Sequence, residues 1–273
     1  MEQTMEKKEE LCALMDELAE TDLMVAFSGG VDSSLLLKAA CDSAKKTGKT
    51  VYAATVHTRL HPAGDMEVAK RVAGEMGAVH IVLPIDELEE AGIRDNPVDR
   101  CYLCKKFLFQ KMKREAQKLG VPILLEGTNE DDLHVYRPGI RAIRELGITS
   151  PLAALGITKN QVREMAATYG ISVSERPSAP CLATRFPYGT RLDMAVMKKV
   201  DEGEGFLKNL GLYNVRIRVH GDVARIEVDE GDMPVLTAHR QEIVKTLEAL
   251  GFVYVTLDLK GFRSGSMDVG IAP

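Results

Sequence analysis

The string Ser28-Gly29-Gly30-Val31-Asp32-Ser33-Ser34 stands between an apolar run, Leu23-Met24-Val25-Ala26-Phe27, and a segment carrying Leu35, Leu36, Leu37, Ala39 and Ala40 at buried-helix spacing. A strand that turns through two glycines straight into a helix has few architectures open to it. The glycines permit a tight turn and a close approach of backbone to an anion, and the helix start offers unpaired N–H groups and the positive end of a dipole. Serine hydroxyls add donors, and the carboxylate of Asp32 suits a hard cation beside phosphates. The spacing and lysine of a Walker A loop are absent. The competing reading is a plain glycine turn capped by Ser and Asp.

The alternation continues along the chain. After an amphipathic helix over 5–20 and the strand at 23–27, apolar bursts recur at 51–56, 79–83 and 122–127, with helical patterns at 64–77 and 101–119. Such alternation predicts an α/β parallel sheet covered on both faces. Ligands of such sheets sit beyond the carboxyl ends of the strands, so the loops 28–33, 56–64 and 127–141 are expected around one site. Over 171–191 the pattern lapses into Ser, Pro, Arg and Gly. A helix over 193–210 follows, then two alternating runs, 215–219 and 224–228, joined by His220-Gly221-Asp222, a helix over 239–250 and a strand over 253–259. This reads as a smaller α+β unit built on a β-hairpin, dividing the chain into domains at 1–180 and 181–273.

Length and charge narrow the class. With 273 residues, 45% of them hydrophobic, the chain is long enough for one large domain or two smaller ones and is not disordered. Lys plus Arg is 35 against 40 for Asp plus Glu, a formal charge of -5 that argues against a nucleic-acid partner held by phosphate contacts. The charged opening MEQTMEKKEE has no apolar signal region and no later run approaches membrane-spanning length, so a cytoplasmic protein is expected. Five cysteines, an odd number, read as thiols or metal ligands rather than a disulfide framework.

Three further features carry chemistry. Cys101 and Cys104 open an expected helix at Cys-x-x-Cys spacing, which puts both sulfurs on one side near a dipole end that favours thiolates. Redox, zinc, iron–sulfur and packing roles all remain open to that pair. Cys181 lies in a proline-framed stretch from Arg176 to Gly189, where restricted backbone predicts a defined loop and Arg176 and Arg185 would lower the thiol pKa. On the hairpin, Arg216 and Arg218 share one face and Val215, Ile217 and Val219 the other, with Arg225, Glu227 and Asp229 continuing the polar face. That face reads either as a surface for phosphate and carboxylate groups or as a merely solvated one.

The glycine–serine turn after a first strand resembles the PP-loop ATP pyrophosphatases. The full order SGGVDSS, NPVDRCYLCK, EGTNEDD, APCLATRFPYG and GFRSGSMD resembles the LarE-type sulfur transferases over essentially the whole chain. The resemblance implies an enzyme that binds ATP and Mg2+ on Ser28, Gly29, Gly30, Val31, Asp32, Ser33 and Ser34, with Thr55, Gly127 and Thr128 flanking the nucleoside. It implies adenylation of a carboxylate of pyridinium-3,5-biscarboxylic acid mononucleotide and its conversion to a thiocarboxylate, a step towards the nickel-pincer nucleotide of lactate racemase. Cys101, Cys104 and Cys181 resemble the subgroup whose three cysteines hold a 4Fe–4S cluster that accepts sulfide or another sulfur donor. In other members a lone cysteine at the position of Cys181 gives up its own sulfur. Arg185, Arg216 and Arg218 are then the expected substrate contacts, Glu204 and Glu227 weaker candidates for a divalent cation or the substrate, and Cys12 and Cys41 packing residues. A homo-oligomer is expected. The rival readings are a PP-loop tRNA thiolase and, outside the enzymes, a zinc-stabilised nucleotide-binding module.

Overall fold

In the computed structural model, which describes residues 2–62, 64–177 and 180–269, the apolar runs become strands and the segments between them helices. Cα packing separates two compact units. The first comprises Met1–Thr58, Gly64–Gly92 and Asp99–Ser178, and the second Arg59–Ala63, Ile93–Val98 and Ala179–Pro273. Two short segments of the N-terminal half therefore pack with the C-terminal unit, which no contiguous boundary captures. Ser178 and Ala179 of the proline-framed stretch lie outside the described residues.

The first unit runs α1 (Glu2–Leu18), β1 (Leu23–Ala26), α2 (Val31–Thr47), β2 (Val51–His57), α3 (Asp65–Met76), β3 (Val79–Pro84), α4 (Glu87–Glu90), α5 (Arg100–Lys118), β4 (Ile123–Leu125), α6 (Gly139–Glu145), α7 (Pro151–Ala154) and α8 (Lys159–Thr168). Its four strands are all parallel, in the order β3-β2-β1-β4. Successive side chains of β1 serve opposite faces, the period-2 consequence of an extended chain. Leu23 and Val25 join the core with Leu35 and Leu36 of α2, Val72 of α3 and Met165 of α8. Met24 joins the core with Phe109 and Met112 of α5 and Ile143 of α6. The sheet is thus covered on both sides, and its C-terminal edge is left to carry the loops.

The second unit contains α9 (Met194–Asn209), β5 (Val215–His220), β6 (Val223–Val228), α10 (Met233–Ala238), α11 (Arg240–Ala249) and β7 (Tyr254–Leu257). β5 and β6 form the antiparallel hairpin, with Arg216 opposite Glu227 and Arg218 opposite Arg225, and β7 adds parallel to β6. The helices pack closely on the hairpin's apolar face. A Cβ on Gly203 of α9 would stand 2.7 Å from Ile217 and 2.9 Å from Leu247 of α11. Asp193 caps α9 by accepting from the Ala195 N–H at 2.7 Å. Asn96 carries a φ of 50°, and its side chain donates to the Pro187 carbonyl at 2.7 Å while its own carbonyl accepts from the Gly189 N–H at 2.9 Å. Among the described residues, no helix is long and apolar enough to cross a membrane.

Candidate functional site

Ser28 to Ser34 turn β1 into α2. Gly29 has a φ of 71°, where side chains are strained, and a Cβ there would also meet Ala69 Cα of α3 at 3.0 Å. Gly30 caps α2 in extended conformation without a side-chain hydrogen bond, so the first N–H groups of a seventeen-residue helix and its positive dipole end are left to an anion. The loop holds its own shape: Ser28 Oγ accepts from the Gly30 N–H at 3.3 Å, and Ser33 Oγ donates to the Gly30 carbonyl at 3.1 Å. Val31 and Ser34 are buried, and the Ser34 hydroxyl has no hydrogen-bond partner among the described residues.

Asp32 lies in the first turn of α2 with its carboxylate held from two sides. Asn129 Nδ2 donates to Oδ1 at 2.9 Å, and the Lys159 ammonium pairs with Oδ2. Lys159 is placed there because Thr158 and Gln161 form a capping box that starts α8 immediately before it. The Thr-x-x-Gln spacing is readable in the sequence, so Lys159 had a signal; Asn129 had only its place two residues after Gly127. Gly127 is required for a packing reason, since a Cβ would stand 3.1 Å from the Ser33 nitrogen and 3.3 Å from Asp32 Cβ. The Thr128 hydroxyl donates to Glu126 at 2.8 Å, and the Ser150 hydroxyl binds the same buried carboxylate. The Thr55 hydroxyl is 2.8 Å from His80 Nε2, on the neighbouring strand, and burial, with help from the Lys70 charge, holds that imidazole's pKa below its usual value. The guanidinium of Arg176 is engaged by Asp65 at 2.6 Å and by the Gly29 carbonyl at 3.3 Å. This unit therefore offers backbone donors, hydroxyls and a lysine for phosphate oxygens, and a carboxylate suited to Mg2+. Of the loop 56–64, Arg59–Ala63 pack with the other unit.

In the second unit the arginines are not a solvated face. Arg216 and Arg218 are 4% and 5% exposed, and Arg185 and Glu204 are 1% exposed. Arg185 grips Glu204 through two hydrogen bonds, of 2.9 and 2.8 Å, and donates to the Pro180 carbonyl at 2.8 Å, so its fork holds both α9 and the Cys181 loop. Glu204 also accepts the Ile217 N–H at 3.0 Å. Burial pushes the Glu204 carboxyl up, but the Arg185 fork and the Arg216 charge bring it below its ordinary value. Arg218 pairs with Glu227 at 2.9 Å and donates to the Thr184 carbonyl, also at 2.9 Å. Burial, with the charge of Arg185, lowers Arg216 to about 10 against the opposing pull of Glu204.

Cys101 and Cys104 are half-buried on the first turns of α5, with the Cys101 sulfur accepting from Arg100 Nη2 at 3.6 Å. Cys181 is half-buried in the second unit. Cys41 is packed in the first unit's core, and burial pushes its thiol up to about 11. Among the described residues, no group of three or more His, Cys, Asp or Glu side chains is arranged to hold a metal.

Comparison with known proteins matches residues 2–136 to the PP-loop domain family. An uncharacterised protein of Synechocystis is 37% identical over 90% of this chain and 91% of its own length. The pyridinium-3,5-bisthiocarboxylic acid mononucleotide synthase of Lactiplantibacillus plantarum is 35% identical over 96% of this chain and 94% of its own. A tRNA-specific 2-thiouridylase of Rickettsia bellii matches less, 27% identical over 59% of this chain and 53% of its own.

Proposed function

Because the chain belongs to the LarE family of PP-loop enzymes, we propose that it uses ATP to convert a carboxylate of pyridinium-3,5-biscarboxylic acid mononucleotide into a thiocarboxylate. The observation that carries this reading is the 35% identity with the Lactiplantibacillus synthase over 96% of the chain. The 2-thiouridylase likeness spans little more than half of either protein, and the overall charge of -5 gives an RNA partner no support.

The chemistry follows from groups of this chain. The turn at Ser28–Ser34 holds the triphosphate on backbone N–H groups and Lys159 is placed to bind a phosphate oxygen. Asp32 would hold Mg2+, which would supply charge neutralisation of the leaving pyrophosphate. A substrate carboxylate oxygen attacks the α-phosphorus, the bond to the bridging oxygen breaks, and pyrophosphate departs to leave an acyl adenylate. Arg216 and Arg218 hold the substrate's anionic groups. A sulfur nucleophile then attacks the acyl carbon and AMP leaves.

Cys101, Cys104 and Cys181 are assigned to sulfur delivery as ligands of a 4Fe–4S cluster. Two thiols at i, i+3 on one helix suit two ligands of such a cluster, but the described residues do not gather three metal-binding side chains. One experiment tests the whole reading: pyrophosphate release by anaerobically purified enzyme with and without the pyridinium substrate, followed by iron, sulfide and intact-mass analysis. Substrate-dependent release, abolished in Asp32→Ala, with iron lost in Cys101→Ala and Cys104→Ala, is the expected result. Release that is independent of the substrate removes the function, and a protein lighter by one hydrogen sulfide replaces the cluster with a sacrificial Cys181.

A further inference from the structure

The string GFRSGSMD forms a strap across the hairpin's polar face. β7 ends at Leu257, and Asp258 to Asp268 double back without regular structure. Gly261, at a φ of 67°, makes the turn where any Cβ would stand 3.1 Å from the Val228 carbonyl. The Phe262 N–H then donates to that same carbonyl at 2.7 Å.

From there three strap side chains land on charged residues of the hairpin. The Phe262 ring centre is 5.2 Å from the Arg216 guanidinium. Ser266 Oγ donates to Glu227 Oε1 at 2.7 Å, and Arg225 Nη2 reaches the Met267 sulfur at 3.5 Å. The strap's far end is pinned by Tyr188, whose hydroxyl donates to Asp268 at 2.9 Å. Asp258, at its root, accepts from Arg225 Nη1 at 2.6 Å and from Arg263 Nη2 at 3.2 Å. The docked arrangement leaves two donors stranded: Arg225 Nε and Arg263 Nε are buried and have no hydrogen-bond partner among the described residues. Two guanidinium groups therefore share the Asp258 carboxylate, Arg225 also reaching Glu227 Oε1 at 3.2 Å, and each keeps an unmet N–H group, beside a third, Arg216, that stacks under an aromatic ring.

We propose that this strap is a competitor for the anion site: the segment Asp258–Asp268 and an anionic ligand exclude one another on the polar face of the hairpin. The inference rests on the reading that Arg216 and Arg218 receive the substrate's anionic groups. Phe262 lies against the Arg216 guanidinium, so an anion that takes that guanidinium displaces the ring, and it would offer an acceptor to the stranded donor of Arg225. Ligand binding is thus reduced by the fraction of molecules with the strap docked.

The test uses the full chain and nicotinic acid mononucleotide, which carries a phosphate and one pyridinium carboxylate. Binding is measured by calorimetry for the parent, for Phe262→Ala/Ser266→Ala and for Arg216→Ala, with hydrogen exchange followed in the peptide spanning 258–268. The double variant is expected to bind about tenfold more tightly, the change from losing one cation–π contact and one hydrogen bond that hold the strap down. The ligand is expected to speed exchange in the strap of the parent. Equal or weaker binding by the double variant overturns the proposal, as does slower exchange, which would mean that the strap closes over the ligand. If Arg216→Ala binds like the parent, or neither the parent nor the double variant binds, the arginine reading beneath the proposal fails and takes it along. Weak binding by Arg216→Ala with no gain in the double variant sinks the strap alone.

Discussion

Glu204→Ala provides a quantitative test of what the buried charges of the C-terminal unit do. Glu204 and Arg185 are each 1% exposed and joined by two hydrogen bonds, and the same carboxylate accepts the Ile217 N–H. Removing it strands a guanidinium fork and a strand N–H away from water. Breaking one side of a buried pair costs about 3–5 kcal/mol, and a buried donor without an acceptor costs about 1–3 kcal/mol. The two overlap because both groups relax into one cavity, so a loss of about 4 kcal/mol is expected in urea unfolding at neutral pH. Glu204→Gln, which keeps an acceptor for Ile217, should lose less, and Arg185→Met combined with Glu204→Leu should recover much of the stability because no charge remains buried. The pH dependence has a definite sign. The folded-state pKa of Glu204 is depressed, so its contribution is fully present above the unfolded glutamate value of about 4.3 and disappears as pH falls through the folded value. The gap between parent and Glu204→Ala should therefore close in acid. A loss below about 1 kcal/mol at neutral pH would refute the reasoning. A stability gap that appears only when Mn2+ or Mg2+ is added would instead make Glu204 a cation ligand.

Two further outcomes are expected at the phosphate loop. Gly127→Ala should weaken ATP binding with little loss of global stability, because the added Cβ would press on the Ser33 nitrogen and Asp32; equilibrium binding of a non-hydrolysable ATP analogue at unchanged melting temperature checks it. Lys159→Ala should cut pyrophosphate release by about tenfold to a hundredfold, the value of one charge-assisted contact of about 1.5–3 kcal/mol, whereas Lys159→Arg should keep part of it, and unchanged release in the alanine variant would confine Lys159 to pairing with Asp32.

The parallel sheet was legible because buried strands announce themselves as apolar runs. Leu23–Ala26, Val51–His57 and Val79–Pro84 fall on the bursts that predict them, and the glycine turn marks the start of α2. The helices at Gly139–Glu145 and Pro151–Ala154 are too short to declare a period, and Lys159 is marked only by the Thr-x-x-Gln box that starts its helix. The hairpin's alternation places Arg216 and Arg218 on one face, but that face is buried rather than solvated. Alternation at Arg216 and Arg218 tells which way side chains point, but the ring against Arg216 arrives from Phe262, more than forty residues later. Period-2 patterning has no term for that distance. Arg185 was expected to face the substrate, and nothing local to it reveals that its fork is spent on Glu204.

The two detours at Arg59–Ala63 and Ile93–Val98 bear on how such a protein can be cut and recombined. Leu182 N–H donates to the Leu60 carbonyl at 2.7 Å, Leu192 N–H to the Arg94 carbonyl at 2.8 Å, and Gly189 N–H to the Asn96 carbonyl at 2.9 Å. A gene fragment that begins after residue 178 would encode none of those three acceptors, so the C-terminal unit is not a portable module. Splicing it onto another nucleotide-binding chain would require that chain to supply both detours, each threaded from within its own sheet. Ancestral shuffling of the two halves is disfavoured for the same reason.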